Sequence, residues 1–224
     1  MRYTTVLIDL DNTLLDFNAS SREALEKTFT HFGLPYTEEE WARFAAYNTS
    51  LWLAFERKEI PKSLIYEERF RLYFEDRKLC ADPAALNAMY LPLLGACVHL
   101  MPHCRELLTA LRDRGLTICA ATNGETATAY KRIARAGLSG LFDRVFISEE
   151  IGHAKPSTDF FDAVFAAIGE KKRSSSIILG DSLTSDMQGG RNAGIATCLL
   201  RGEAQPDARC DYAIDDLMDF LKLL

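Results

Sequence analysis

Two carboxylates one residue apart, Asp9 and Asp11 in IDLDNTL, interrupt an apolar run that begins near Val6. Side chains on a strand alternate with a period of two, so this pair leaves on one side while Leu10 points away. At roughly 4 Å and an effective dielectric of about 20, two such charges repel by about 4 kcal/mol, comparable with the net stability of a small domain. A positive group is therefore expected nearby. Three other stretches carry matching chemistry. Thr122, Asn123 and Gly124 offer a hydroxyl, an amide and free backbone N–H groups at the start of a helix, which suits an anion. Lys155 lies in a loop bounded by Gly152 and Pro156, and GDSLTSD supplies Asp181 and Asp186. Four acids beside one lysine are short of positive charge. Hard oxygen donors with few histidines or thiols suit Mg²⁺, which keeps several waters and shares its remaining positions with a phosphate.

Each of these residues follows a short aliphatic run. TTVLIDL, LTICAAT, RVFIS, SIILG, TCLL and YAI are nearly all apolar, as expected of parallel strands buried on both faces. From residue 102 onward they alternate with helical segments: PHCRELLTALRDRG, ETATAYKRIARAG and STDFFDAVFAAIG, each closed by a glycine. Such alternation predicts right-handed crossovers and an α/β fold built on an open, doubly wound parallel sheet. Ligands of such sheets bind beyond the carboxyl ends of the strands, where these residues fall. Taken singly, each has an ordinary explanation: a strand-end Asp caps a turn, TNG is a turn, and a lysine before proline is solvated. Four successive strand ends carrying complementary chemistry favour a shared site.

Residues 17 to 95 break the rhythm with helical pattern and no convincing strand. Capping boxes are expected at Ser20 with Glu23 and at Thr37 with Glu40, and Asp82 before Pro83 reads as an N-cap. A block of this size exceeds a loop and predicts an inserted all-helical cap, with 1–16 and 96–224 forming the core. Within TEEEWARFAAYNTSLWLAFERK a helical stripe runs through Trp41, Phe44, Asn48, Trp52 and Phe55. Asn48 is its polar member. It is either an amide hydrogen-bonded within the cap or a group that meets the edge of a base, with Trp52 or Phe17 as a stacking surface.

DLDNTL, TNG, AKP and GDSLTSD, in this order and with a helical insertion between the first two, resemble the four motifs of the haloacid dehalogenase-like hydrolases along the whole chain. The resemblance implies a Rossmann-like core. It implies Asp9 as the nucleophile that becomes an aspartyl-phosphate and Asp11 as general acid and base. Thr122 and the Asn123 backbone would hold phosphoryl oxygens, Gly124 would line the substrate site, and Lys155 would balance charge. Mg²⁺ would be held by Asp181, the Asp9 carboxylate and the Asp11 backbone carbonyl, with Asp186 assisting directly or through a water. An acid at position 11 also separates phosphoryl transfer from carbon–halogen cleavage, because the dehalogenases proper lack it. The stretches YNTSLW to ERKEI, ISEEIGHAKPSTDFFDAV and GDSLTSDMQGGRNAGIATCLL are most similar to the bacterial pyrimidine 5′-nucleotidases of this family, implying a nucleoside monophosphate substrate. A sugar-phosphate phosphatase, a phosphomutase of the same fold and a non-catalytic phospho-ligand binder are the alternatives.

The totals bound the partners. A net charge of −6 without a basic tract argues against a nucleic-acid polymer. No apolar run approaches the roughly 20 residues needed to cross a bilayer, and the acids in MRYTTVLIDLDNTLL disqualify it as a secretory leader. Six cysteines without a CxxC read as reduced core thiols in a cytoplasmic protein, acting on a small molecule as a monomer or homodimer. His31, His99, His103 and His153 show no partner pattern, although His153 is close enough to Lys155 to face the site.

Overall fold

Six aliphatic runs become strands in the computed structural model, which describes residues 2–200 and 209–224. They are β1 (Thr5–Ile8), β2 (Thr117–Thr122), β3 (Arg144–Ile147), β4 (Ser176–Gly180), β5 (Ala196–Leu200) and β6 (Tyr212–Ile214). All pairings are parallel, in the order β3-β2-β1-β4-β5-β6. Leu7, Cys119, Ala121 and Ile178 pack against Phe160, Phe161, Val164 and Phe165 on one face. The alternate residues Val6, Ile8, Ile118, Ala120, Ile177 and Leu179 are also buried, so both faces are covered, as the run composition requires.

The chain moves outward through β2 and β3 and then returns to the other side of β1 for β4. The sheet therefore reverses direction at its centre, and the crevice at such a reversal is where open α/β sheets bind ligands. Register fixes what meets there. Ile8 is level with Ala120 and Leu179, so Asp9 follows β1 one step short of Thr122 and Asp181.

Helices α1 (Phe17–His31), α2 (Glu38–Glu56), α3 (Lys62–Arg77) and α4 (Pro83–Leu94) precede β2. The rest are α5 (Cys104–Asp113), α6 (Thr126–Arg135), α7 (Ser148–Ile151), α8 (Thr158–Ile168) and α9 (Gln188–Asn192). Two compact units result, Met1–Phe17 with His99–Leu224, and Asn18–Val98. Phe17 thus belongs with the sheet. The helical unit closes around its own aromatic core, with Phe44 4.8 Å from Phe70 and 5.4 Å from Tyr90 between ring centroids.

Local expectations fared unevenly. Asp82 accepts from the Ala84 N–H ahead of α4, as a cap should. Ser20 is no cap: Asp16 N–H donates to His99 O, α1 starts at Phe17, and Ser20 is buried inside the helix. Thr37 caps α2 by accepting from Glu40 N–H, but the Glu40 side chain turns inward to Tyr73 and Arg77 instead of returning. The buried stripe of α2 is Glu40, Phe44, Asn48 and Leu51, leaving Trp41, Trp52 and Phe55 at its margin. Before α5, His103 takes a left-handed conformation and Pro102 stays outside the helix. Among the described residues no disulfide links the cysteines, and four of the six are buried; Cys80 is exposed and Cys210 partly so, which corrects the expectation of a purely core set. Among the described residues no helix is long and apolar enough to cross a membrane.

Candidate active site

β1 continues in extended pairing for one more residue, with Asp9 N–H donating to Leu179 O, and then folds over itself. Leu10 O accepts from Leu14 and Leu15, and Asn12 takes the left-handed conformation at φ 55°, which its short amide tolerates. This turn places Asp9 in the sheet crevice and carries Asp11 to its side. Thr13 Oγ1 lies 3.5 Å from Asp9 Oδ2.

Lys155 enters from the loop after α7 and is fully buried. Its Nζ donates to Asp9 Oδ1 at 2.7 Å, Asp186 Oδ1 at 2.6 Å and the Ala121 carbonyl at 2.6 Å. All three ammonium protons are thereby used. Asn123 builds the lysine's position: its Nδ2 donates to Lys155 O at 2.9 Å and its Oδ1 accepts from Lys155 N–H at 3.0 Å. The Asn123 amide, expected from sequence to face an anion, is instead spent on this clamp, and its backbone N–H is the part left for a phosphoryl oxygen. Asp186 reaches the lysine from a π-helical turn, Leu183–Met187, and its second oxygen accepts from Ser182 N–H at 3.1 Å. A Cβ at position 180 would collide with the Asp186 carboxylate, so that approach requires Gly180.

Carboxylate oxygens of Asp9, Asp181 and Asp186 lie within 4.8 Å of one another. Burial pushes the Asp9 carboxyl up to about 7; Lys155 opposes this, and Asp186 and Asp11 add to it. Burial, followed by the Asp9 and Asp186 charges, holds Asp181 well above the usual carboxylate range. Burial works against the Lys155 charge, yet Asp186 and Asp9 outweigh it and raise that lysine. Three clustered acids thus have one buried ammonium, bonded to two of them, and the raised carboxyls are the symptom of the deficit. Hard oxygen donors at this spacing with excess negative charge fit a divalent ion such as Mg²⁺.

Asp11 stands apart from that cluster. Its Oδ1 accepts from Arg132 Nη1, from a helix 121 residues further along the chain. Its Oδ2 faces the Thr122–Gly124 corner, 3.7 Å from where a Cβ on Gly124 would lie, with Thr122 Oγ1 at 3.2 Å from the same point. Thr122 Oγ1 accepts from Gly124 N–H at 3.0 Å. Arg132 escaped the sequence reading, although a signal existed: with Ala129 and Ile133 it lies on one face of α6, a charge inside an apolar stripe.

The remaining candidates are dispersed. Phe17 lies in the sheet unit, with the Arg132 guanidinium carbon 5.8 Å from its ring centroid. Asn48 is buried in the helical unit, and its Oδ1 has no hydrogen-bond partner among the described residues. Trp52, in the same unit, makes an edge contact with Phe55 and receives Lys62 over its ring. His153 sits at the surface, 3.6 Å from Asp159.

A crevice at the sheet reversal, two acids on the first strand end, a clamped lysine and an acidic turn after β4 define a class. A family model for haloacid dehalogenase-like hydrolases matches residues 3–194, and the chain belongs to that family. Among curated relatives it is 33% identical over 206 residues to the HAD-hydrolase YfnB of Bacillus subtilis, covering 92% of this chain and 87% of that protein. It is 33% identical to the pyrimidine 5′-nucleotidase PynA of Streptococcus pneumoniae over 228 residues, 99% of this chain and 96% of the relative. For the pyrimidine 5′-nucleotidase YjjG of Escherichia coli the figures are 32% over 200 residues, with coverage of 89% and 87%. Among solved structures, a magnesium-bound crystal form of YfnB superposes with a TM-score of 0.93 at 31% identity, covering 100% of this chain and 99% of that one.

Proposed function

We propose that the chain is a Mg²⁺-dependent phosphatase that hydrolyses pyrimidine nucleoside 5′-monophosphates through an aspartyl-phosphate on Asp9. The observation that carries this reading is the separation of the two first-strand acids. Asp9 shares Lys155 with Asp186 beside Asp181, whereas Asp11 is tied to Arg132 with one oxygen left toward Thr122. One acid lies beside a buried ammonium within a candidate metal cluster and the other beside the Thr122–Gly124 corner, which is what a nucleophile and a proton carrier need.

Asp9 Oδ attacks phosphorus and the bond from phosphorus to the ester oxygen breaks. Asp11 gives its proton to the departing alkoxide. Thr122 and the Asn123 backbone N–H hold the phosphoryl oxygens, and Lys155 offsets the charge that gathers on them. Water then attacks the aspartyl-phosphate, Asp11 takes its proton, and inorganic phosphate leaves with Asp9 restored. Asp9, Asp181, Asp186 and the Asp11 carbonyl would hold Mg²⁺, which when bound screens the repulsion between carboxylate and phosphate.

The leaving group is assigned to the helical unit, which we read as a cap. Asn48 would meet the base edge, with Trp52 or Phe17 stacking on the ring. Supporting this are the Asn48 Oδ1, which has no hydrogen-bond partner among the described residues, and the two nucleotidase relatives matched over most of the chain. A cytoplasmic location, with the chain as a monomer or homodimer, accords with cysteines that form no disulfide among the described residues. The test is a phosphate-release screen with Mg²⁺ over nucleotides, sugar phosphates and small esters, with Asp9→Asn as blank. Pyrimidine monophosphates are expected to lead; preference for sugar phosphates refutes the substrate reading, and retention of phosphate on a sugar acceptor refutes hydrolysis.

A further inference from the structure

Arg132 is a buried charge that the reaction above does not use. Its side chain is 3% exposed, yet only Nη1 has an acceptor, the Asp11 carboxylate. Nε and Nη2 are buried with no hydrogen-bond partner among the described residues. A guanidinium has five donors, and burying it with the three on Nε and Nη2 unused among the described residues is expensive, so packing alone does not account for its place. The Phe17 ring 5.8 Å from its carbon supplies a cation–π contact that limits where the head can go. Asp11 is by contrast one-third exposed and sits in the tight turn after β1, so the Arg132 contact is what holds its Oδ1. With Oδ1 held, Oδ2 is the oxygen left toward Thr122 and Gly124.

We propose that Arg132 is a positioning residue that fixes Asp11 by Oδ1 so that Oδ2 meets the ester oxygen of the departing group. The inference rests on the reading of Asp11 as the proton carrier. It makes a prediction about leaving groups that a structural role does not. A nucleoside 5′-alkoxide needs a proton to depart, and p-nitrophenolate does not. General acid–base catalysis contributes about 10²- to 10⁴-fold, and a misaligned donor loses part of that.

The experiment measures kcat/KM, which reports steps up to departure of the leaving group, with a nucleoside monophosphate and with p-nitrophenyl phosphate. Arg132→Met is expected to lose about ten- to a hundredfold on the nucleotide and less than about threefold on the aryl ester. Arg132→Lys should regain part of the loss, because an ammonium can still hold Oδ1. Added to Asp11→Asn, Arg132→Met should cost nothing more on the nucleotide. Equal losses on both esters, or losses that multiply in the double variant, overturn the proposal. If Arg132→Met does not fold, Arg132→Lys carries the same comparison of esters, with an intermediate loss confined to the nucleotide expected. Near-normal turnover of the nucleotide by Asp11→Asn would instead sink the reading of Asp11 itself.

Discussion

The helical unit and the sheet unit each bury carboxylates, and they treat them in opposite ways. Glu40 in α2 accepts from Tyr73 OH at 2.5 Å through one oxygen and from Arg77 Nη2 at 2.6 Å through the other. One charge meets one cation and both oxygens are satisfied. In the sheet crevice, Asp9, Asp181 and Asp186 crowd together while Lys155 donates to Asp9 and Asp186, and burial pushes the first two carboxyls upward. A buried acid kept for stability is paired in place, because an uncompensated charge is costly to bury. Acids kept for chemistry are left short of cations, and so remain able to engage a metal and a phosphate.

Substitutions in the two units should separate these roles. Asp9→Asn is expected to lower phosphate release by at least about 10⁴-fold, since it removes the proposed nucleophile. Without Mg²⁺ its melting temperature should equal or exceed that of the parent chain, because one of three crowded acids is gone; a clear drop would place Asp9 with Glu40 as a structural charge. Lys155→Met should cost about 10³-fold in turnover and also lower the melting temperature, as Asp9 and Asp186 lose their shared ammonium. Asn123→Ala releases the clamp on the Lys155 backbone, and a loss of about ten- to a hundredfold in kcat is expected with a destabilisation of about 1–3 kcal/mol. Glu40→Gln should cost about 1–3 kcal/mol in denaturant unfolding while leaving kcat per folded molecule unchanged. A fall in kcat would erase the contrast between the units.

The subtlest effect is pH-dependent. In the metal-free chain Asp9 titrates at about 7, against about 3.9 when unfolded, and Asp181 is raised as well. The folded state then keeps protons that the unfolded chain has released, so these two groups favour folding below about pH 4 and lose that contribution as pH rises through about 7. The raised Lys155 acts in a separate window, its contribution being present below about pH 10.4 and lost above the folded value. Melting in chelator should therefore decline between pH 4 and 7, and added Mg²⁺ should flatten the decline. An unchanged slope with Mg²⁺ would contradict the assignment of these acids as metal ligands.

Much of this contrast is invisible along the chain. The unbroken apolar character of SIILG and ICAA was enough to predict strands buried on both faces, and the acids after TTVLI and SIILG marked the carboxyl edge. At Ser20 local capping chemistry was present, and a backbone bond from Asp16 to His99 started the helix a turn earlier. Glu40 had the spacing of a capping box and was drawn inward by Tyr73 and Arg77. In sequence Asn123 offers its amide to an anion, and that amide proved to hold a loop 32 positions away. In each case a long-range hydrogen bond overrode a short-range preference worth about 1 kcal/mol.

From the sequence alone come the strands, the alternation that makes them parallel, and the four acids, lysine and hydroxyl at their ends, because side-chain period and apolar runs are properties of consecutive residues. Which charges share a partner was decided only by the folded chain. β1 had to lie between β2 and β4 before Asp9 could meet Lys155 and Asp186, and α6 had to pack before Arg132 could reach Asp11. Electrostatic interaction depends on distance and burial, and for residues more than a hundred positions apart both are set by packing.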